Sequence, residues 1–178
     1  MDIRLATLAD ASAVAAIYRP YVEDTVISFE LMPPSETMMR ERMAKVLARL
    51  PWLVCERDGA LVGYAYASPH HDRAAYQWSV DVSVYLRPGL QRRGLGRALY
   101  SDLFTLLVQQ GYYTAFAGIS LPNAASVGLH ESFGFEPVGV YRNAGFKSGA
   151  WHDVGWWQKP LRNYAAPIAK PSDRIWHA

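Results

Sequence analysis

Between Arg87 and Leu99 the chain holds Gln91, Gly94 and Gly96 in a Gln-x-x-Gly-x-Gly spacing, with Arg92, Arg93 and Arg97 interleaved. An apolar run, Val82 to Leu86, comes before it, and an amphipathic run, Leu99 to Phe104, follows. That order places a helix N-terminus directly behind a strand. Several backbone N–H groups then point at one spot, and the helix dipole favours an anion there. Glycines at 94 and 96 let the backbone approach a large anion without Cβ clashes, and the arginines add charge. The ligand this suits is a pyrophosphate. A dinucleotide fingerprint needs Gly-x-Gly-x-x-Gly and an acidic residue about 20 positions later, and a P-loop needs Gly-Lys-Ser/Thr. Neither spacing occurs here.

Other residues could carry chemistry. Asp81 lies inside an apolar run, where a carboxylate is either a paired structural acid or one whose pKa burial lifts toward use as a base. His130 sits between Leu129 and Glu131. It is either a satisfied core histidine or a proton donor or acceptor that titrates near neutrality. His70, His71 and Asp72 adjoin without a further ligand pattern, so no metal site is expected. Ser83 and Ser126 lack a nucleophile-elbow context. Cys55 is the only cysteine and lies far from the glycine loop, so neither an internal disulfide nor an acyl-cysteine there is expected.

The elements that must position these residues fit a chain of 178 residues, long enough for one domain with a substantial core. Apolar residues make up 51% of the chain, as in a globular protein. A net charge of +2, with arginines gathered at one loop, argues against a nucleic-acid surface. No signal-peptide core and no membrane-length apolar run is found, and with a lone cysteine this points to the cytoplasm. Six tryptophans and eleven tyrosines suit interfaces and ligand walls.

Alternation over Ile3–Ala6 predicts a first strand. Helical spacing of Val14, Ile17, Tyr18, Tyr21 and Val22 predicts a helix capped by Thr7 or Asp10 and kinked or ended at Pro20. Ser35 opens a second helix that buries Met39, Met43, Val46, Leu47 and Leu50. Trp52–Glu56 and Leu61–Ala67 read as strands joined at Asp58-Gly59. Further strands are expected over 77–86, 114–119, 136–142 and 153–160. Helices are expected from Gly94 to Gly111 and from an Asn123 cap to Phe133, closed by Gly134. These make a single domain over residues 1–161 with a tail at 162–178. The fold class is α/β (α+β): a central mixed, largely antiparallel twisted sheet with helices on both faces. If two central strands splay apart, a strand-like amide chain such as pantetheine could pair with the 82–86 strand while the glycine loop holds its phosphates.

Set between that strand and helix, the glycine loop resembles the acetyl-CoA loop of the GNAT N-acetyltransferases. Four further phrases resemble one branch, the phosphinothricin and methionine-sulfoximine acetyltransferases. They are Thr25–Glu30 with Pro33-Pro34-Ser35, Tyr76–Tyr85, Leu121–Phe135 and Gly145–Gln158. The resemblance spans about residues 1–161. It implies a GNAT fold and a homodimer that moves acetyl from acetyl-CoA to the α-amine of a small amino-acid-like acceptor by direct transfer, with no part for membrane or nucleic acid.

Residue by residue, the resemblance implies that Val84, Tyr85 and Leu86 pair with pantetheine and polarise the thioester. Arg92, Arg93, Gly94, Leu95, Gly96 and Arg97 hold the pyrophosphate, and Asn123 meets the cofactor arm. Asp81 stands where the branch carries a glutamate assigned as general base. Arg73, flanked by His71 and Asp72, lies in the loop that holds the acceptor's acid group. Phe29 is an aromatic wall, and Val82 and Ser83 adjoin Asp81 in the acceptor site. Many relatives carry tyrosine at the position of His130. In acetyl transfer a base must take a proton from the ammonium, and an N–H near Val84 would meet the oxyanion. His130 would either return a proton to the thiolate or help deprotonate the amine. Two departures stand out: Asp81 is one methylene shorter than glutamate, and Gln77 replaces a common cation. They keep open a non-catalytic acetyl-CoA-binding regulator as an alternative; a protein or peptide N-acetyltransferase, which would need an open groove, is the other.

Overall fold

Apolar residues in the chain's second strand face two ways, and that decides the layering. Trp52 and Val54 point to one side, Leu53 and Cys55 to the other, and all four are buried. A sheet buried on both faces needs helices on both. The computed structural model describes residues 1–166 and 169–172 and shows this arrangement. In chain order the elements are β1 (Asp2–Leu5), α1 (Ala11–Glu23), α2 (Glu36–Leu47), β2 (Trp52–Arg57), β3 (Ala60–Pro69), β4 (Ser79–Leu86), α3 (Leu95–Gln110), β5 (Thr114–Ser120), α4 (Ala124–Glu131), β6 (Glu136–Lys147) and β7 (Ala150–Pro160).

The strands form one sheet in the order β1-β2-β3-β4-β5-β7-β6. The β4–β5 pair is parallel and every other neighbour is antiparallel. On one face α1 and α2 bury Val14, Ile17, Met39 and Met43 against Trp52, Val54 and Tyr64. On the other, α3 buries Leu99, Leu103 and Leu107 with Leu53, Ala65, Val80, Ala115 and Ile119. The fold is the expected mixed, largely antiparallel sheet, with helices on both faces.

Three expectations change. Of a kink or an end at Pro20, the end is ruled out, because helix α1 runs on to Glu23. The carbonyl that proline leaves without its helical donor belongs to Ala16, an exposed residue whose polar groups solvent can reach, while buried Val22 carries the helix on. Strand β4 begins at Ser79, after a 3₁₀ turn at Ala74–Tyr76. The last hairpin is longer than expected: the sequence predicts strands over 136–142 and 153–160, whereas β6 runs to Lys147 and β7 starts at Ala150. Asn143 (φ 50°) sits in an irregularity of the ladder, and Ser148 and Gly149 (φ 52° and 78°) make a tight left-handed turn.

The stretch read as a tail bonds back to the domain where it is described. The Ser172 N–H donates to the Gln110 carbonyl at 2.8 Å, and the Trp78 Nε1–H donates to the Ala169 carbonyl at 3.0 Å. Pro171 is buried.

Candidate active site

The β4–β5 ladder stops early. It pairs Ser79 with Thr114, Val80 with Ala115 and Asp81 with Phe116, and then the two strands part. Beyond Asp81, β4 is bonded on its β3 side, while β5 turns to β7. The gap between Val82–Tyr85 and Ala117–Ser120 is a narrow cleft of about 60 Å³, closed by Tyr100, Asn123, Ser126 and His130. The β4 edge facing it presents backbone amides and carbonyls to any amide chain laid in the gap. The end of β4 is held by α1, whose Tyr21 hydroxyl donates to the Leu86 carbonyl at 2.6 Å.

At the mouth of this cleft stands the glycine loop. Gln91 folds back to accept from the Gly89 N–H at 2.9 Å. Arg92 and Gly94 take left-handed conformations (φ 62° and 80°). Gly94 is the N-cap of α3 and provides no side-chain cap, so the first amides of the helix stay open to an anion. Gly96 differs from the expectation. A Cβ there would lie 3.3 Å from the Leu129 side chain, so the missing side chain lets α3 close on α4. Arg92 and Arg93 are exposed beside the loop. Arg97 donates to Ser132 Oγ at 2.8 Å and covers the Phe133 ring. Asn123 accepts from the Ser126 N–H at 3.1 Å and caps α4, one wall of the cleft.

Next to the cleft, on the α1/α2 face, lies a cavity of about 310 Å³. Ile27, Phe29, Ser68, Asp81, Ser83 and Trp156 line it, and it shares Val82, Ser83, Gly118 and Ser120 with the cleft. Phe29 is positioned from far away in sequence. Lys147 is buried at the tip of the β6–β7 hairpin, where its Nζ donates to the Val22 and Ser28 carbonyls at 2.6 and 2.7 Å. Gly145 leaves room for the Phe29 ring, which a Cβ would strike.

The Asp81 carboxylate faces this cavity at the point where the sheet divides. Its Oδ1 accepts from His70 Nδ1 at 2.7 Å. Burial raises the Asp81 pKa above its ordinary value, against the hydrogen bond and charge of His70 and the charge of His71. His70 belongs to no site expected from the sequence. The signal that could have found it is the β3–β4 register, which sets Ser68 opposite Asp81. Two residues on, His70 returns to the same face.

His130 is 3% exposed. Its Nδ1–H donates to the Ser126 carbonyl at 2.7 Å. A carbonyl can only accept, so in the neutral ring Nε2 accepts from the Tyr100 hydroxyl at 3.0 Å. Burial lowers its pKa below the ordinary imidazole value. Both ring nitrogens are thus engaged inside the protein, at the wall of the cleft.

The structure brings Phe29, Asp81, Val82 and Ser83 together around the cavity, with Val84, Tyr85, Asn123 and His130 along the cleft. Leu86 and residues 92–97 stand at its mouth. It leaves His71, Asp72 and Arg73 exposed on the loop after β3, outside the cavity wall. Arg73 is the N-cap of the 3₁₀ turn that carries this loop over the surface. The cleft also fits a polar chain by another measure: Ser120 Oγ, on its wall, is buried with no hydrogen-bond partner among the described residues.

A parted parallel pair, with a glycine loop and helix N-terminus at its mouth, defines a class of protein. Residues 3–156 match the acetyltransferase (GNAT) domain family, and the chain belongs to it. Among curated relatives, a phosphinothricin N-acetyltransferase of Streptomyces viridochromogenes is 41% identical over 167 residues, covering 94% of this chain and 91% of that one. An L-methionine sulfoximine/L-methionine sulfone acetyltransferase of Salmonella typhimurium is 34% identical over 170 residues, covering 95% and 99%. Among solved structures, a phosphinothricin acetyltransferase from Sinorhizobium meliloti in complex with acetyl-CoA is similar at a TM-score of 0.89. It is 35% identical, with 99% of this chain and 95% of that chain covered.

Proposed function

We propose that this protein transfers acetyl from acetyl-CoA to the amine of a small amino-acid-like acceptor, of the phosphinothricin or methionine sulfoximine type, by direct transfer. The observation that carries the reading is the junction at Asp81. A cavity of about 310 Å³, large enough for an amino acid, meets the cleft where that carboxylate stands. The names of the relatives support the same acceptor class.

Acetyl-CoA supplies the activated acyl group. Open amides at the start of α3, with Arg92, Arg93 and Arg97, hold its diphosphate. Val84, Tyr85 and Leu86 pair with the pantetheine arm, Asn123 steadies it, and Ser120 Oγ offers it a hydrogen bond. Asp81 takes the proton from the acceptor ammonium. Phe29, Val82 and Ser83 orient the acceptor, and Arg73, flanked by His71 and Asp72, meets its acid group from the solvent side. The departing thiolate takes up the second proton that the amine loses on becoming an amide, and His130, whose Nε2 accepts from Tyr100, stands at the wall of the cleft where that proton passes.

The protein acts as a cytoplasmic homodimer in this reading. Support for the dimer comes from edge strand β6 and its hairpin partner, which expose Val138, Tyr141, Phe146 and Trp151, and a second copy would cover them. Cys55 is buried and unpaired, in keeping with a reducing compartment.

The test is release of CoA thiol across a panel of free amino acids, phosphinothricin, methionine sulfoximine and short peptides. Acetyl-CoA-dependent release with one or more small acceptors is expected. Turnover of peptides alone would replace this reading with a peptide acetyltransferase. Tight acetyl-CoA binding without turnover of any amine would replace it with a regulator.

A further inference from the structure

We propose that His70 is a positioning residue for the base: its imidazole holds Oδ1 of Asp81 so that Oδ2 is turned to the acceptor cavity, and the two residues work as a pair. This inference rests on the acetyl-transfer reading and adds a residue to it.

The geometry of the ring comes first. His70 follows the last residue of β3, and its N–H donates to the Ser79 carbonyl, which closes the strand pair just above Asp81. The imidazole lies flat on Phe116 of β5, with centroids 4.1 Å apart and planes 12° apart. Trp156 of β7 meets it edge-on at 6.1 Å, Tyr76 meets it at 5.9 Å, and His71 covers it at 4.3 Å. Contacts with four rings, from two strands and the loop, leave the imidazole little rotational freedom. It lies 2.7 Å from Asp81 Oδ1, and a carboxylate can only accept, so Nδ1 carries the proton and donates it. Asp81 lines the cavity and His70 does not. The imidazole therefore acts through the carboxylate.

The chemistry gives this bond a use. The acceptor arrives as R–NH3⁺. Asp81 Oδ2 takes one proton, giving R–NH2 and a neutral carboxylic acid, and the freed lone pair attacks the thioester carbonyl; as the C–N bond forms the C–S bond breaks, and the CoA thiolate leaves and takes up the second amine proton. His70 keeps its Nδ1 proton throughout. Before transfer the bond stabilises the carboxylate that must do the accepting, and it fixes the side-chain torsion that aims Oδ2. Burial works against the carboxylate form, and His70 offsets it. The titratable groups against the pair are Tyr66 from β3 and His71 and Tyr76 from the loop, while Phe116 and Trp156 bring uncharged faces.

The test is the pH dependence of kcat/KM for a small acceptor, in the wild type, His70→Ala and His70→Asn. Without His70, burial of Asp81 is opposed only by the charge of His71, so the acidic limb moves to higher pH. In His70→Ala, kcat/KM falls roughly 10-fold on the acidic limb, and the gap narrows as pH rises and the carboxyl ionises in both proteins. The KM for acetyl-CoA stays unchanged. Asparagine offers an N–H to Oδ1 and recovers part of the shift. An acidic limb in His70→Ala that coincides with that of an active wild type overturns the proposal and leaves the acetyl-transfer reading standing. A wild type that moves no acetyl overturns both. Should the alanine variant not fold, imidazole ¹⁵N shifts of the wild type decide. The Nδ1–H tautomer at His70 is expected, and an Nε2–H tautomer overturns the pairing.

Discussion

Asp10 and Asp81 are pulled in opposite directions by their surroundings. Asp10 accepts two hydrogen bonds from the Arg4 guanidinium, both 2.8 Å, which hold its pKa below the ordinary value. It ties the first strand to the first helix. Asp81 is lifted by burial and turned to a cavity. A base taking a proton in the rate-limiting step is worth about 10² to 10⁴ in rate. Asp81→Asn is therefore expected to lower kcat by at least about 100-fold while leaving acetyl-CoA affinity by calorimetry within about 2-fold. A comparable loss in both measurements would make Asp81 a structural acid. His130 gives a prediction on stability. Its folded pKa is depressed, so below about pH 6.5 the unfolded chain binds a proton that the folded chain refuses. Stability is fully present above that pH and falls as pH drops through it. The carboxylates of Asp10 and Glu30, with lowered values, lose their contribution only in more acidic solution. Thermal melts should show a Tm lower at pH 5.0 than at pH 7.0, with a smaller difference in His130→Gln.

At the scale of elements, what the sequence revealed was local. The Gln91–Gly96 loop, the Asn123 cap, the Asp58-Gly59 turn and the helix end at Gly111 are read from neighbouring residues, and each appears where expected. What escaped depends on register or on distance along the chain. The His70–Asp81 pair needs the β3–β4 register, and the Lys147 contact to Val22 spans 125 residues. Gly96 is the instructive case, because the motif suggested room for a ligand where the structure shows room for Leu129. Its substitution should still act on the cofactor, by another route. Gly96→Val forces α4 away from α3, and with it the Asn123 end of the cleft. Overpacking of this kind costs typically about 1–3 kcal/mol. A lower Tm and roughly 10-fold weaker acetyl-CoA binding by calorimetry are expected, with kcat at saturation within about 3-fold of the wild type. A binding constant unchanged in a folded Gly96→Val protein would separate the α3–α4 contact from the cofactor.

Considered as a whole molecule, the sheet has two unequal edges. β1 is short, its four residues all paired with β2. At the other end β6 runs for twelve residues with nearly every side chain exposed. Long apolar edge strands are hazards that proteins shorten, charge or cover, yet this one carries Val138 at 56% and Tyr141 at 63% exposure. Phe146 and Trp151 continue the patch across the hairpin, packed edge to face at 5.4 Å. The same hairpin ends in Lys147, which clamps the segment bearing Ile27 and Phe29. Covering the hairpin with a second copy would therefore stiffen the wall of the acceptor cavity as well as hide apolar surface. Two effects should then travel together when the patch is charged. A Val138→Lys, Tyr141→Glu double variant is expected to sediment as a monomer at micromolar concentration, where the wild type sediments as a dimer. The variant should also show a raised KM for the acceptor and little change in the KM for acetyl-CoA, because the α3 loop lies on the opposite face of the sheet from Phe29. A monomeric wild type would remove the dimer from the account. A monomeric variant with an unchanged acceptor KM would show that the hairpin holds the cavity wall without a partner.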